Sequence, residues 1–167
     1  MGARSWVFGD GIDTDQILPS QHMFLSLDEM KQYAMQPQNE QFAGLCQAGD
    51  FVVGGENFGC GSSREQAPLV LKALGVKAII AKSFARIFYR NAINLGLPVV
   101  ELKQASDISE GDILEIDLNG GVVRNITTTS SYTFSPITGL PKQIIDNGGL
   151  IQMLRKKSGK VISTDTV

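Results

Sequence analysis

The feature that most constrains the fold is a regular alternation of short apolar segments with longer helical ones between residues 51 and 102. Successive strands in such a pattern lie parallel, because the helix between them returns the chain to the same end of the sheet. Gly75 and Gly96 follow the two helical segments, where glycine often ends a helix. The pattern predicts a parallel βαβαβ unit with strands at 51–54, 76–81 and 97–102 and helices at 63–74 and 84–94.

Further elements are predicted on both sides of this α/β unit. Residues 112–118 alternate apolar and polar side chains and reach Asn119-Gly120, a strong signal for a two-residue hairpin turn. We therefore expect an additional β layer beside the parallel unit. The other predicted elements are a strand at 4–8, a helix at 28–35, the second hairpin strand at 122–126 and two helices within 139–157.

Composition limits the classes of protein to which the chain can belong. Its 167 residues are 43% hydrophobic, so we expect one domain over residues 1–167, with a frayed tail at 158–167. The net charge is −2 and no basic tract is present, which argues against nucleic acid or an anionic membrane surface as a partner. The sequence contains neither a signal-peptide pattern nor an apolar run of about 18 residues, so we expect a cytoplasmic protein.

Metal-binding residues are scarce in the chain. Cys46 and Cys60 are the only cysteines and His22 is the only histidine, a composition that fits a reducing compartment. A four-ligand zinc site or a cysteine-bound iron–sulfur cluster needs more sulfur or imidazole ligands than these. We therefore expect no metal site in this chain, and any cluster must be carried by another polypeptide.

Three aspartates, Asp10, Asp13 and Asp15, lie close together in the loop after the first predicted strand. A calcium-binding loop of the EF-hand type is disfavoured, because no glutamate occupies its twelfth position and Ile12 and Thr14 are poor ligands. The favoured interpretation for Asp10 and Asp13 is that their carboxylates bond their own backbone within the loop and shape a turn.

A glycine-rich turn over residues 54–61 precedes the first helix of the parallel unit and lets another molecule approach its backbone. Ser62 lies three residues before Glu65, the spacing of a capping box, which predicts that the helix begins here with free N–H groups facing outward. Such a helix start attracts anions. Arg64 is unfavourable for the helix dipole there but well suited to hold a carboxylate. The alternative is a simple serine cap with a solvated arginine.

Residues 20–27 form an apolar segment with no obvious partner strand, which indicates a mobile loop. We expect the ring of His22 to be packed or solvent-facing rather than to act as a base or a metal ligand. Met23, Phe24 and Leu25 are either part of the core or, if exposed, the lining of an apolar pocket.

Three stretches together resemble the small subunit of 3-isopropylmalate dehydratase and homoaconitase, the free-standing form of the aconitase swivel domain. They are Asp13-Thr14-Asp15, residues 57–65 and residues 83–92, and the resemblance extends from about residue 6 to residue 157. It implies a swivelling β/β/α domain and a hydro-lyase that is inactive without a large subunit. In this family the large subunit carries the catalytic 4Fe-4S cluster, and no cofactor is bound by the small one.

The resemblance also implies roles for individual residues. Ser62 matches the general base, which takes the proton next to a substrate carboxylate while the cluster iron acts on the departing hydroxyl. Ser63 and Arg64 match residues that bind and orient that carboxylate, and Asp15 matches an aspartate that orients its neighbours. Cys60 lies within the motif, but we interpret it as a packing residue.

The loop after Pro19 is where members of the family differ in specificity. Members that accept a tricarboxylate carry an arginine just after a Tyr-Leu pair, whereas this chain has His22-Met23 followed by Phe24-Leu25 and no arginine or lysine before Lys31. This implies an apolar-branched substrate, with conversion of 2-isopropylmalate into 3-isopropylmalate in leucine biosynthesis as the first choice. The alternatives are 2,3-dimethylmalate, homoaconitate and, outside enzymes, a stand-alone anion-binding module.

Overall fold

The structure is a computed structural model that describes residues 2–159. The strands are β1 (Ala3–Val7), β2 (Phe51–Gly54), β3 (Ala78–Ala81), β4 (Val99–Glu101), β5 (Ile113–Asp117), β6 (Val122–Asn125) and β7 (Ser130–Thr133). The α-helices are α1 (Thr14–Ile17), α2 (Leu27–Met30), α3 (Phe42–Leu45), α4 (Gln66–Ala73), α5 (Arg86–Asn94), α6 (Gly139–Asp146) and α7 (Leu150–Lys157). Short 3₁₀ turns occupy Ser20–His22, Lys31–Tyr33 and Lys103–Asp107.

The strands form one sheet in the order β4-β3-β2-β1-β5-β6-β7. The first four are parallel neighbours, so the predicted parallel unit is confirmed and is extended by β1. Successive side chains of β2 point to opposite faces. Val52 packs with Ile79 in one buried cluster, and Phe51 packs with Ile80 in the other.

The antiparallel part of the sheet supplies the additional β layer. Strand β5 runs antiparallel to β1, and β5, β6 and β7 continue as a meander. Leu114 of β5 and Val123 of β6 are fully buried in the same cluster as Phe51 and Val100, which shows that the sheet curls over its own parallel half. Helices α4 to α7 contribute to the cluster on the opposite face. The result is the expected β/β/α layering.

The start of α4 differs from the capping-box prediction. The helix begins at Gln66, its N-cap is Glu65, and no side chain bonds to the cap. Pro68 gives a physical reason, because a proline lacks the N–H of the helical ladder and its ring clashes with the carbonyl four residues earlier. If the helix started at Ser62, Pro68 would lie beyond the first turn, and its ring would clash with the carbonyl of Arg64. Ser62 therefore lies in the loop before α4.

Three elements were not predicted from the sequence. Helices α1 and α3 span only 4 residues each, too short for a helical repeat to be recognised. Strand β7 has the sequence Ser-Ser-Tyr-Thr, which lacks the apolar alternation of a typical half-buried strand. The predicted helix at 28–35 is a single turn, α2, followed by the 3₁₀ turn Lys31–Tyr33.

The predicted frayed tail extends beyond the part of the chain that the structure covers, since residues 160–167 lie outside the described residues. Within residues 2–159, no helix has the length and apolar character needed to cross a membrane.

Candidate active site

The candidate site lies at the carboxyl ends of the parallel strands, the edge at which open α/β sheets bind ligands. The turn after β2 is bonded on both sides to the loops after β1 and β3. On one side, Gly59 N–H donates to the carbonyl of Ile12 at 2.7 Å. On the other, Phe58 N–H donates to the carbonyl of Ser83 at 3.0 Å. The segment that carries Ser62 is therefore held by its two neighbours in the sheet.

Gly59 is required by close packing against α5. Its φ is +82°, and a Cβ built there would lie 2.1 Å from Cγ of Phe88. Any larger residue would strain the backbone and push the turn away from the helix. The same helix holds the next part of the turn, because the Asn91 side-chain amide donates to the carbonyl of Ser63 at 3.1 Å.

The turn-shaping role predicted for two of the aspartates is confirmed for Asp13, whereas Asp10 bonds the backbone of a different loop. Asp13 is the N-cap of α1, with its carboxylate accepting from Gln16 N–H at 2.8 Å and Gln16 Oε1 accepting from Asp13 N–H at 2.9 Å. Asp10 Oδ1 accepts from the backbone N–H of Glu56 at 2.7 Å. Asp13 thus forms a capping box with Gln16, and this box fixes the loop next to Ser62.

Ser62 is exposed, and its hydroxyl contacts one buried side chain. Ser62 Oγ lies 2.9 Å from Oγ1 of Thr14, and the Ser62 N–H donates to the same Thr14 oxygen at 3.1 Å. Thr14 itself is only 2% exposed. Sequence reasoning missed this partner, although Thr14 stands inside the Asp13-Thr14-Asp15 stretch, because no local pattern joins residues 48 apart.

Arg64 and Asp15 are brought together as an ion pair. Arg64 Nη1 donates to Asp15 Oδ1 and to the carbonyl of Leu18, each at 2.9 Å, and the arginine side chain is 10% exposed. Asp15 Oδ1 also accepts from the hydroxyl of Ser20 at 2.5 Å. The hydrogen bond from Ser20, and after it the one from Arg64, hold the pKa of Asp15 below its usual value. Nη2 of Arg64 makes only a long 3.4 Å contact with Ser20 Oγ, so it can still bind an external carboxylate.

Four of the predicted site residues line an open depression of about 580 Å³, and Asp15 is not among them. Ser62, Ser63, Arg64 and, from the predicted specificity loop, Met23 line it. The other lining residues are Met30, Glu65, Gln66 and Leu69. A larger cleft of about 1220 Å³ lies between α5 and residues 133–141, but none of the predicted site residues lines it.

The rest of the specificity loop does not line this depression. The ring of His22 stacks on Tyr33 with centroids 3.6 Å apart, which agrees with the packed interpretation. Phe24 is 90% exposed and Leu25 is 37% exposed, and neither side chain lines the depression.

The two cysteines are not arranged for nucleophilic or metal chemistry. Cys60 Sγ lies 3.6 Å from the carbonyl of Gly11, a weak contact within the turn. Burial, together with the nearby Asp50 carboxylate, raises the pKa of Cys46 to about 12, so its thiolate is scarce at neutral pH. Among residues 2–159, no group of three or more His, Cys, Asp and Glu could hold a metal ion.

Comparisons with known proteins give consistent relatives. A family model described as the aconitase C-terminal domain matches residues 26–105. The 3-isopropylmalate dehydratase small subunit 1 of Thermotoga maritima is 49% identical over 155 residues, covering 92% of this chain and 93% of that protein. The methanogen homoaconitase small subunit of Methanothermobacter thermautotrophicus is 48% identical over 163 residues, covering 97% of this chain and 95% of that protein.

A solved structure agrees with these relatives. The crystal structure of 3-isopropylmalate dehydratase from Methanocaldococcus jannaschii has a TM-score of 0.90 to this chain and is 42% identical, with 94% of each chain covered. The fold, the sequence and the arrangement of the loops therefore all indicate the same family. The chain belongs to the family of 3-isopropylmalate dehydratase and homoaconitase small subunits, which contain the aconitase C-terminal domain.

Proposed function

We propose that this chain is the small subunit of a two-subunit hydro-lyase that converts 2-isopropylmalate into 3-isopropylmalate by dehydration and rehydration. The observation that carries the proposal is the exposed Ser62 hydroxyl, bonded to buried Thr14 and located with Arg64 on one depression. Relatives at 49% and 47% identity bear the name of this enzyme's small subunit. The chain then acts as a single swivel domain in leucine biosynthesis in the cytoplasm.

Ser62 is the proton acceptor in this proposal. In its alkoxide form, Ser62 Oγ takes the proton from the carbon next to a substrate carboxylate, and the released electron pair forms the double bond as hydroxide leaves the neighbouring carbon. Rehydration runs the same steps backwards with water added at the other carbon. Arg64, assisted by Ser63, binds the carboxylate so that the acidic C–H faces Ser62. Asp15 holds the Arg64 guanidinium in place at 2.9 Å.

The residues of this chain do not fit an iron–sulfur cluster, since the described part offers no set of three or more metal-binding side chains. We assign the 4Fe-4S cluster to a large partner subunit, in keeping with the small-subunit names of the relatives. Such a cluster supplies a Lewis acid for the departing hydroxyl. The partner also has to cover the open side of the depression at Ser62.

Overall identity does not decide the substrate, because an isopropylmalate enzyme and a homoaconitase match at 49% and 48%. The loop over residues 20–30 favours an apolar branch. It contains no lysine or arginine, and it contributes two apolar side chains, Met23 and Met30, to the lining of the depression. A third carboxylate buried there without a cation would cost several kcal/mol. By the same reasoning 2,3-dimethylmalate is the second candidate and homoaconitate the third.

The test is reconstitution with the cluster-bearing subunit from the same organism, followed by a panel of isopropylmalate, dimethylmalate and homoaconitate. We expect turnover only with both subunits, and the highest kcat/KM on isopropylmalate. Ser62→Ala should remove most turnover and leave assembly of the two subunits unchanged. Near-normal turnover of this variant would refute the assignment of the base.

The non-enzymatic alternative, a stand-alone anion-binding module, predicts different experimental results. It requires the isolated chain to bind a malate-type dianion tightly in calorimetry, and the wild-type pair to show no turnover on any member of the panel. The open depression at Ser62 and the small-subunit names of the relatives favour the enzyme.

A further inference from the structure

We infer that Thr14 is a positioning residue that prepares Ser62 for proton transfer, by donating a hydrogen bond from its buried hydroxyl to Ser62 Oγ. The inference rests on the proposed role of Ser62 as proton acceptor and adds a partner to it within the same chain. Thr14 and Ser62 come from two different loops, after β1 and after β2, and their hydroxyl oxygens are 2.9 Å apart.

Thr14 is held rigidly enough for this task. It is the first residue of α1, whose start is capped by Asp13, and its own N–H donates to the carbonyl of Cys60 at 2.8 Å. Its residue exposure is 2%, so its side chain has little room to turn. Two bonds, one from the Thr14 backbone and one to its side chain, therefore tie α1 to the segment that ends at Ser62.

The direction of the hydroxyl–hydroxyl bond follows from counting donors and acceptors. One lone pair of Thr14 Oγ1 accepts the Ser62 N–H at 3.1 Å. Within residues 2–159, Ser62 Oγ is the one acceptor placed to receive the Thr14 hydroxyl proton. If Ser62 donated instead, the Thr14 proton would be buried without a partner, at a cost of about 1–3 kcal/mol. Thr14 is therefore the donor, and the Ser62 proton points away from it.

This direction supports the alkoxide form of Ser62. A hydrogen bond to an ionised acceptor is roughly twice as strong as one between neutral groups, so the Thr14 bond strengthens when Ser62 loses its proton. It therefore favours the ionised hydroxyl and leaves the outward side of Ser62 Oγ free for substrate. Removing one such donor from an oxyanion lowers kcat by about 100- to 1000-fold in enzymes of known mechanism.

The same contact takes the place of a helix cap. Ser62 is not the N-cap of α4, so neither its N–H nor its hydroxyl is fixed by helix geometry. The single oxygen of Thr14 fixes both, at 3.1 Å and 2.9 Å. A misplacement of the base by about 1 Å can cost roughly 100-fold in rate, so this contact also matters for geometry.

The experiment compares Thr14→Val with Thr14→Ser in the reconstituted two-subunit enzyme. Valine keeps the shape of threonine and removes its hydroxyl, whereas serine keeps the hydroxyl. We expect Thr14→Val to lower kcat by at least 30-fold with KM changed less than threefold, on the scale of one lost oxyanion donor. Thr14→Ser should retain most of kcat. In a Ser62→Ala background, Thr14→Val should cause no further loss, because its partner is already absent.

A readout that does not depend on turnover is the hydrogen-exchange rate of the Ser62 amide in the isolated full chain. This amide should exchange slowly in the wild type and in Thr14→Ser, and rapidly in Thr14→Val. Thr14→Ala, which cannot introduce a clash, replaces Thr14→Val if the latter does not fold.

Two results would overturn the inference while the proposed function stands: kcat of Thr14→Val within threefold of the wild type, or equal losses in Thr14→Val and Thr14→Ser. Failure of the proposed function looks different, because the wild-type pair itself would then show no turnover.

Discussion

Breaking the ion pair between Arg64 and Asp15 should lower the activity of the enzyme far more than the stability of the fold. In Asp15→Ala, the Arg64 guanidinium loses its carboxylate partner at 2.9 Å and keeps the Leu18 carbonyl as its main anchor. Asp15 is 61% exposed, and solvent-screened pairs of this kind contribute about 1 kcal/mol or less to unfolding. The misplaced arginine, by contrast, should lower kcat/KM by roughly 10- to 100-fold. We expect most of that loss in KM, because in the proposed function Arg64 binds the substrate carboxylate.

The assay combines urea unfolding of the isolated chain with steady-state kinetics of the reconstituted enzyme. Asp146→Ala is the matched control, because Asp146 is 56% exposed and pairs with Lys142 on α6 at 2.5 Å. Both variants should lose similarly little unfolding free energy, and only Asp15→Ala should lose activity. Equal kinetics for the two variants would refute the view that Asp15 orients Arg64.

The contribution of the same pair to the unfolding free energy depends on pH in a direction that can be predicted. Hydrogen bonds from Ser20 and Arg64 hold the pKa of folded Asp15 below the usual 3.8 of an aspartate. A carboxyl group with a lowered folded pKa stabilises the fold above its unfolded pKa and loses this contribution as pH falls through the folded value. The difference in unfolding free energy between wild type and Asp15→Ala should therefore be constant from neutral pH to about pH 5 and shrink below it.

Three further predictions concern other parts of the chain. Asp50→Ala should lower the unfolding free energy in urea by about 3 kcal/mol, because the buried carboxylate accepts from Trp6 Nε1 and Gln47 N–H, each at 2.9 Å, and from Arg4 N–H at 3.2 Å, and all three donors lose their partner. A loss below about 1 kcal/mol would contradict this. The thiol of Cys46, with its pKa raised to about 12, should react with iodoacetamide at pH 8 only after unfolding, as followed by mass spectrometry. Phe24→Arg should shift kcat/KM toward homoaconitate by at least tenfold without changing stability, because Phe24 is 90% exposed; an unchanged ratio would remove this residue from the specificity loop.

Local patterns were sufficient for the parallel half of the fold. The short apolar strands at 51–54 and 76–81, and the glycines that end the helices after them, are signals contained within a few residues. The predicted start of α4 was wrong, and the reason is also local. The Ser62–Glu65 spacing favoured a cap, while Pro68 opposes a helix that starts so early, and the steric restriction of proline prevails.

Other features could not be predicted because they depend on distant pairings. The antiparallel strands join the parallel unit through the pairing of β5 with β1, in which Ala3 lies opposite Leu114. The Arg64–Asp15 pair joins residues 49 apart, and no pattern within a helix or a strand encodes it. From the residues alone, Arg64 could be described as a cation unfavourable for a helix start and suited to hold a carboxylate, but its partner in the chain could not be named. The structure shows that its side chain, 10% exposed, is held by Asp15 and by the carbonyl of Leu18.

The revised position of Ser62 changes the account of how its hydroxyl would serve as the proposed base. If it had capped α4, the free amides and dipole of the helix would have supported an alkoxide directly. The first helical residue is Gln66, and Pro68 in the same turn has no N–H to offer. The supports within this chain are thus the Thr14 hydroxyl and the positive charge of Arg64. Because an unassisted serine hydroxyl is a very weak acid, the remaining stabilisation has to arise when the partner closes the depression and excludes water, which strengthens both contacts. Activity that depends on the second subunit is therefore expected from the geometry of Ser62 itself, and not only from the location of the cluster.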